Sequence, residues 1–373
     1  MAVLALELYY LILDHLDDFQ DRSTIIQYGL VCKDWLHSSR SRIFSDVQLN
    51  DLTIGPFFDI VGSETSLLPV THFIRNLSLF DTEQGHFKNE FDHIRRLGTC
   101  PGVKSLHLGL LDYDLDRHCA FLGTILPCVS SLAIGSKVSI SPRFILEAIP
   151  RFAKLESLTI HDMSRRLFVG YTIPTKYRFP ESLSAVDVLD SSDADFFRAV
   201  LSLDPAPRFS SISIRSSRPS VDVESFLGKY IIMIGHSLRH LSLYDCSYSP
   251  HENSEAIALW YSTGLHSLYL TDKFSLDTLL SRLLMFLPFL RSPTLTKISI
   301  AYDAITLKAT AATPRLWHEI DAALAGEAFR RLKTVVISWP THVDDQRWEE
   351  CLPLSNARGI LKFECGVGDE GSK

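Results

Sequence analysis

The side chains able to do chemistry are scattered along this chain. His236 and His240, in "HSLRH", stand four apart, the spacing that lets two imidazoles on one helical face bind a metal. No third ligand lies nearby in sequence, and His240 is expected to open a strand, so both are read as surface histidines. "GVGDEG" at 366–371 satisfies the Gly-x-Gly-x-x-Gly pattern of a phosphate-cradling loop, yet only Ser372 and Lys373 follow, too few for the helix whose N-terminus would hold the phosphate. Asn76, in "NLS", fits a glycosylation acceptor but falls inside a predicted strand. No Gly-x-Ser-x-Gly elbow, Walker loop, His-Glu-x-x-His pair or Cys-His signature is present. The seven cysteines, Cys32, Cys100, Cys119, Cys128, Cys246, Cys351 and Cys365, are odd in number and form no Cys-x-x-Cys pair, so they are expected as reduced residues of the core. The expectation is a non-enzymatic chain without metal or cofactor, which works by binding.

Composition limits what it could bind. At 46% apolar and 22% charged residues, 373 residues can bury a large core. A net charge of -7 argues against general nucleic-acid or anionic-membrane partners, which call for a basic face. The first thirteen residues are apolar, but Glu7 interrupts them with no basic segment before and no small-residue cleavage site after, so no signal peptide is expected. "LLMFLPFL" is the best membrane candidate and falls well short of the ~20 residues a spanning helix needs. A soluble protein of the cytoplasm or nucleus is expected.

The elements that must position any site emerge from the chain's own period. The unit φxxφxφ, with φ apolar, begins at Phe44, Ile74, Val103, Val129, Leu155, Leu183, Phe209, Leu238, Leu265, Leu295 and Leu332, with successive starts 26 to 37 residues apart. A degenerate copy, "GILKFE" from Gly359, closes the series. Each copy ends in strand-like alternation, as in Leu241 and Leu243 inward with Ser242 and Tyr244 outward. Helical patterns lie between: Leu115, Cys119, Leu122 and Leu126 share one face of "LDRHCAFLGTIL", and "DTLLSRLLMFL" and "RLWHEIDAALAG" behave alike. A unit this short cannot bury its own apolar face, so neighbours must stack. The pattern resembles the leucine-rich repeat, Leu-x-x-Leu-x-Leu-x-x-Asn/Cys, over residues 44 to about 365. Only "LRHLSLYDC", ending at Cys246, keeps the ninth position, which implies that carbonyls usually served by an Asn ladder find other partners. The expected fold is α/β: a curved solenoid over 45–365 with a parallel sheet inside and helices outside, then a flexible tail over 366–373.

Residues 1–44 remain as a separate three-helix module. "LALELYYLILDHL" places Leu8, Leu11, Ile12 and Leu16 on one face; "STIIQYGL" supplies a second helix with Ser23 placed to cap it. In "LVCKDWLHSSRSRIF", Val31 with Trp35 and Cys32 with Leu36 form an apolar stripe, with Lys33 and Asp34 turned away. Some forty residues bury little surface, and so small a unit is marginal unless it docks on something. Leu4, Glu7, Leu8, Ile12, Leu16, Val31, Cys32, Lys33, Trp35 and Phe44 match, position by position, the F-box, and the order of F-box then leucine-rich-type repeats resembles a divergent fungal set of F-box proteins. Ala5 stands where the family has proline, and "DDFQDRS" lengthens the link between the first two helices. The resemblance implies docking onto a Skp-type adaptor, and through it a cullin-RING ubiquitin ligase, by Leu4, Glu7, Leu8, Ile12, Leu16, Ile26, Val31, Cys32, Trp35 and Leu36.

A target would then bind the solenoid. The outward columns of the strands hold small residues such as Ser105, Ser131, Ser157, Ser211 and Ser267, but from the fifth unit to the ninth they include His161, Asp187, Arg215, His240, Tyr244 and Tyr269. Tyr and Arg among small neighbours suit a binding hot spot, although the same face could be merely solvated. The basic, aromatic stretch at 164–182 is a second candidate contact, or else an irregular unit covering the core. Two functions stay open: substrate receptor of a Skp-cullin-F-box ligase, or a ligase-independent scaffold whose terminal helices only cap the solenoid.

Overall fold

The computed structural model describes residues 16, 21–31, 33–50, 52–61, 70–80, 99–109, 121–135, 148–161, 178–189, 193–215, 221–244, 259–272, 275–302, 313–339 and 351–365. Two compact units divide the chain: residues 1–138 with 144–156, and residues 139–143 with 157–373.

In the first unit, helices α1 (Arg22–Tyr28) and α2 (Lys33–Ile43) lead into β1 (Asp46–Asn50), α3 (Ile54–Val61), β2 (Asn76–Phe80), β3 (Ser105–Gly109) and β4 (Ser131–Ile134). The four strands pair in parallel and in chain order. Val47, Leu77, Leu106 and Leu132 share one register, and Leu49, Leu79, Leu108 and Ile134 another. These eight are the inward φ positions, and all are buried.

The second unit repeats the plan: β5 (Ser157–His161), β6 (Ala185–Leu189), α4 (Asp193–Leu201), β7 (Ser211–Arg215), α5 (Val221–Ile234), β8 (His240–Tyr244), β9 (Ser267–Asp272), α6 (Leu276–Phe286), β10 (Lys297–Tyr302), α7 (Thr313–Leu324), β11 (Thr334–Trp339), α8 (Pro353–Ala357) and β12 (Leu361–Cys365). Again each strand pairs in parallel with the next. Leu158, Val186, Ile212, Leu241, Leu268, Ile298 and Val335 form one register ladder; Ile160, Val188, Ile214, Leu243, Leu270, Ile300 and Ile337 form the other. None of the fourteen is more than 2% exposed. The degenerate copy at Gly359 is β12, where Leu361 and Phe363 extend both ladders.

Helices close the apolar side of this unit. Ser275 caps α6 by accepting from Thr278 N (3.2 Å), and Leu276, Leu279, Leu280, Leu283 and Phe286 turn inward from it. On α7 the inward face is Trp317, Ile320 and Leu324. Asp321, on the same helix and buried, accepts from Leu354 N (2.7 Å) and from the N and Oγ of Ser355 (2.8 and 2.6 Å), which satisfies the first donors of α8. Between α4 and α5, Phe196, Phe197, Phe209 and Tyr230 cluster with ring centroids 5.3 to 6.3 Å apart. The Tyr230 hydroxyl donates to Pro207 O (2.5 Å) and accepts from Phe209 N (3.3 Å).

Repeats approach one another backbone to backbone. Arg239 N and His240 N both donate to Ser210 O (2.8 and 2.9 Å), His266 N and Ser267 N to Arg239 O (2.7 and 3.0 Å), and Thr296 N and Lys297 N to His266 O (3.0 and 3.1 Å), at the start of each strand. Among the described residues, side chains reach carbonyls in the turns: Ser292 Oγ lies 2.8 Å from both Thr263 O and Leu265 O, and Arg358 donates to Leu324 O and Phe329 O (2.6 and 2.9 Å); the ninth positions of the repeats after the first lie outside the described residues. Close contact also fixes a glycine, because a Cβ at Gly264 would stand 2.2 Å from His236 O.

Two local expectations are corrected. α1 starts after Asp21, with no side-chain cap bond, and Ser23 sits inside the helix. α2 starts at Lys33, so Val31 lies in the preceding turn, bonded N to Tyr28 O (3.1 Å), instead of on a shared helical stripe with Trp35. No described helix is long and apolar enough to cross a membrane. Cys246 and the residues between Met163 and Tyr177 lie outside the described residues, as do Leu115 and Cys119; Leu122 and Leu126 are buried.

Candidate functional site

Two surfaces stand out, one in each unit. Among the described residues of α1 and α2, Ile25 and Ser39 turn inward, each at 1% exposed, while Ile26 is 48% exposed, Leu30 82% and Val31 62%. Trp35 is half-buried and leans on Tyr28, with centroids 5.4 Å apart at 54°. Leu36, also half-buried, closes on Gly29. Leu16 is tied to α2 through its carbonyl, which accepts from Arg42 Nη2 at 2.8 Å. Leu4, Glu7, Leu8, Ile12 and Cys32 lie outside the described residues. Sequence reading missed Leu30, whose signal was its place four residues after Ile26.

On the strand face of the second unit, register decides which outward side chains meet. Asp187, Ser213, Ser242 and Tyr269 form one row across β6–β9; Leu189, Arg215, Tyr244 and Thr271 form the next. Ser213 Oγ donates to Asp187 Oδ1 (2.7 Å). The Arg215 guanidinium lies 4.9 Å from the Tyr244 ring centroid, and the Tyr244 and Tyr269 centroids are 5.1 Å apart at 46°. Among the described residues, Arg215 Nε is buried without a hydrogen-bond partner. Partial burial raises the Tyr244 phenol above its ordinary value, the Asp187 carboxylate adds to this, and Arg215 with the Ser213 and Ser242 hydroxyls opposes it.

Four of the six expected target-facing residues, Asp187, Arg215, Tyr244 and Tyr269, therefore form one cluster. His240 sits two residues nearer the N-terminal end of β8, where its Nδ1 is 2.8 Å from Ser267 Oγ and its ring 6.4 Å from that of His266. Burial, then His266, then Arg239, lowers its pKa. His161 is on the Arg215 row but two strands away, with Leu189 between them. His236 is exposed in the turn before β8, and among the described residues no group of three or more His, Cys, Asp or Glu side chains could hold a metal. From the basic stretch, Arg178 is exposed while Phe179 is buried at 9%.

No family model matches the chain, and no curated protein matches it. Among solved structures, the leucine-rich repeat-containing protein LegL7 from Legionella pneumophila is similar with a TM-score of 0.49 and 16% identity, over 82% of this chain and 98% of that one. A chain of the Rad7 and Elc1 complex in yeast is similar with a TM-score of 0.41 and 15% identity, over 100% of this chain and 96% of that one. One φxxφxφ strand per repeat, paired in parallel with the next and backed by helices, makes the fold leucine-rich-repeat-like.

Proposed function

We propose that the chain is a non-catalytic substrate receptor of a cullin-RING ubiquitin ligase, acting in the cytoplasm or nucleus. In this reading residues 1–44 are an F-box that docks a Skp-type adaptor, and the repeats hold a target protein. The receptor does no chemistry of its own. Binding at both ends raises the effective concentration of the target at the ligase to the millimolar range typical of tethered partners, so ubiquitin transfer becomes intramolecular in effect.

The observation that carries the proposal is the display of Ile26, Leu30 and Val31 to solvent beside a half-buried Trp35. Three exposed aliphatics within six residues at the edge of a small helical module are costly in water and suit an apolar partner surface. The resemblance of residues 1–44 to the F-box supports a Skp-type adaptor as that partner. The test is affinity purification of the tagged chain from its own cells, with mass spectrometry of the bound proteins. Recovery of a Skp-type adaptor with the parent chain, and its loss with a folded Trp35→Ala chain, is expected. Recovery of a target without any adaptor would overturn the ligase reading and leave the repeat scaffold.

A further inference from the structure

On the strand face of the second unit, charge is segregated in a way that the protein's net charge of -7 hides. The N-terminal ends of β8–β11 carry Arg239 and His240, then His266 and Ser267, then Thr296 and Lys297, then Lys333 and Thr334. Arg239, Lys297 and Lys333 are exposed. No carboxylate occupies these positions; among the described residues, Asp187 on β6 and Glu364 on β12 stand in the outward columns, and Asp272, at the far end of β9, is buried. On β8 and β9 these groups meet, since His240 bonds Ser267 (2.8 Å) and its pKa is lowered in part by His266 and Arg239, and register sets Lys297 beside Ser267 on the next strand. Immediately toward the C-terminal ends of the same strands stand the Tyr269 and Tyr244 rings, 5.1 Å apart.

We infer that this end of the face is a receptor site for an extended, carboxylate-rich peptide segment of the target protein, its acidic side chains on Arg239 and Lys297 and an apolar side chain against Tyr269. The inference rests on the reading that the repeats hold a target, and it supplies the chemistry of that target. Charge complementarity selects the occupant: a local cationic field on an otherwise acidic chain attracts acid here and repels it elsewhere. Geometry sets the length. Three strand spacings of ~4.8 Å span roughly 14 Å, which an extended peptide crosses in about five residues at ~3.3 Å each. Two spacings, roughly 10 Å, separate β8 from β10, so acids about three residues apart reach Arg239 and Lys297, with an apolar residue near them against the tyrosines. Between the cations, Thr296 Oγ1 donates to His266 O (3.3 Å), while Ser267 Oγ keeps its proton for a carboxylate when the His240 Nδ1–H donates to it (2.8 Å).

The test uses the full chain and a fluorescein-labelled ten-residue peptide of alternating Glu and Asp around a central Phe, with binding read by fluorescence anisotropy. Saturable binding that weakens with salt is expected, because exposed charges are screened over a Debye length of about 10 Å at 0.1 M. Arg239→Glu with Lys297→Glu should weaken it about tenfold or more and confer binding of the matching Lys peptide, as charge reversal at a complementary site requires. Adaptor capture by the double variant should be unchanged. Equal binding of a Gln/Asn version of the peptide, unchanged binding by the variant, a requirement for phosphoserine in place of the acids, or tighter binding of a single-stranded oligonucleotide would each overturn the inference. Absence of adaptor capture by the parent chain would instead refute the ligase reading, with the peptide titration still deciding the site.

Discussion

Leu30→Ser combined with Val31→Ser isolates the surface on which the ligase reading depends. Leu30 is 82% and Val31 62% exposed, so neither supports the core, and surface changes of this kind shift stability by no more than about 0.5 kcal/mol. Fully burying a Leu or Val side chain is worth about 1.5–3 kcal/mol. Scaled by their exposed fractions, the two side chains would contribute about 2–4 kcal/mol on docking, equivalent to roughly 30- to 1,000-fold in affinity. Isothermal titration of the purified chain with a Skp-type adaptor reads that loss, and a thermal melt of the same sample reports on folding. A double variant that melts with the parent and binds the adaptor equally well refutes the reasoning, because no apolar contact would then run through this turn.

Three further outcomes follow from the packing. Gly264→Ala should cost about 1–3 kcal/mol in chemical denaturation, since its Cβ would meet the His236 carbonyl oxygen at 2.2 Å and a backbone atom cannot swing aside; an unchanged midpoint would contradict the close stacking of repeats. Arg215→Ala and Tyr244→Ala should each abolish or sharply reduce target capture while stability falls by only about 0.5–1 kcal/mol, the scale of the guanidinium–ring contact they share; undiminished capture by the double variant would move the target site away from this cluster. Burial pushes the Cys100 thiol from 9.0 to about 11, so the native chain should resist iodoacetamide there while half-buried Cys128 reacts. The sign is that of a neutral acid kept neutral by folding: the contribution is complete below pH 9 and is lost as pH rises toward 11. A Cys100→Val chain should therefore show a shallower alkaline loss of stability than the parent.

The strands were legible because each φxxφxφ copy states its own inward positions, and burial of Leu241 and Leu243 beside half-buried Ser242 and Tyr244 follows from the two-residue period alone. Even the degenerate copy at Gly359 folds as a strand, since Ile360, Leu361 and Phe363 keep the spacing. Helix ends were less legible. Ser23 looked like a cap from its residue type, but the helix begins one residue earlier and Ser23 falls within its first turn. Val31 and Trp35 had helical spacing, yet the chain turns between Gly29 and Val31 before α2 begins. The target-facing cluster was legible by column but not by row: Arg215, Tyr244 and Tyr269 meet because successive strands are in register, whereas His161 is cut off by Leu189. The cationic end of the same face was not legible by column, because Arg239 and His266 each precede their strand.

The central claim, that one end of this chain is built to join a ligase adaptor, is tested most directly by mixing the purified full chain with a purified Skp-type adaptor at micromolar concentration and measuring mass by light scattering on a sizing column. The account predicts a single one-to-one complex that survives the column and disappears with Leu30→Ser and Val31→Ser. Two separate peaks at the masses of the free proteins would contradict it.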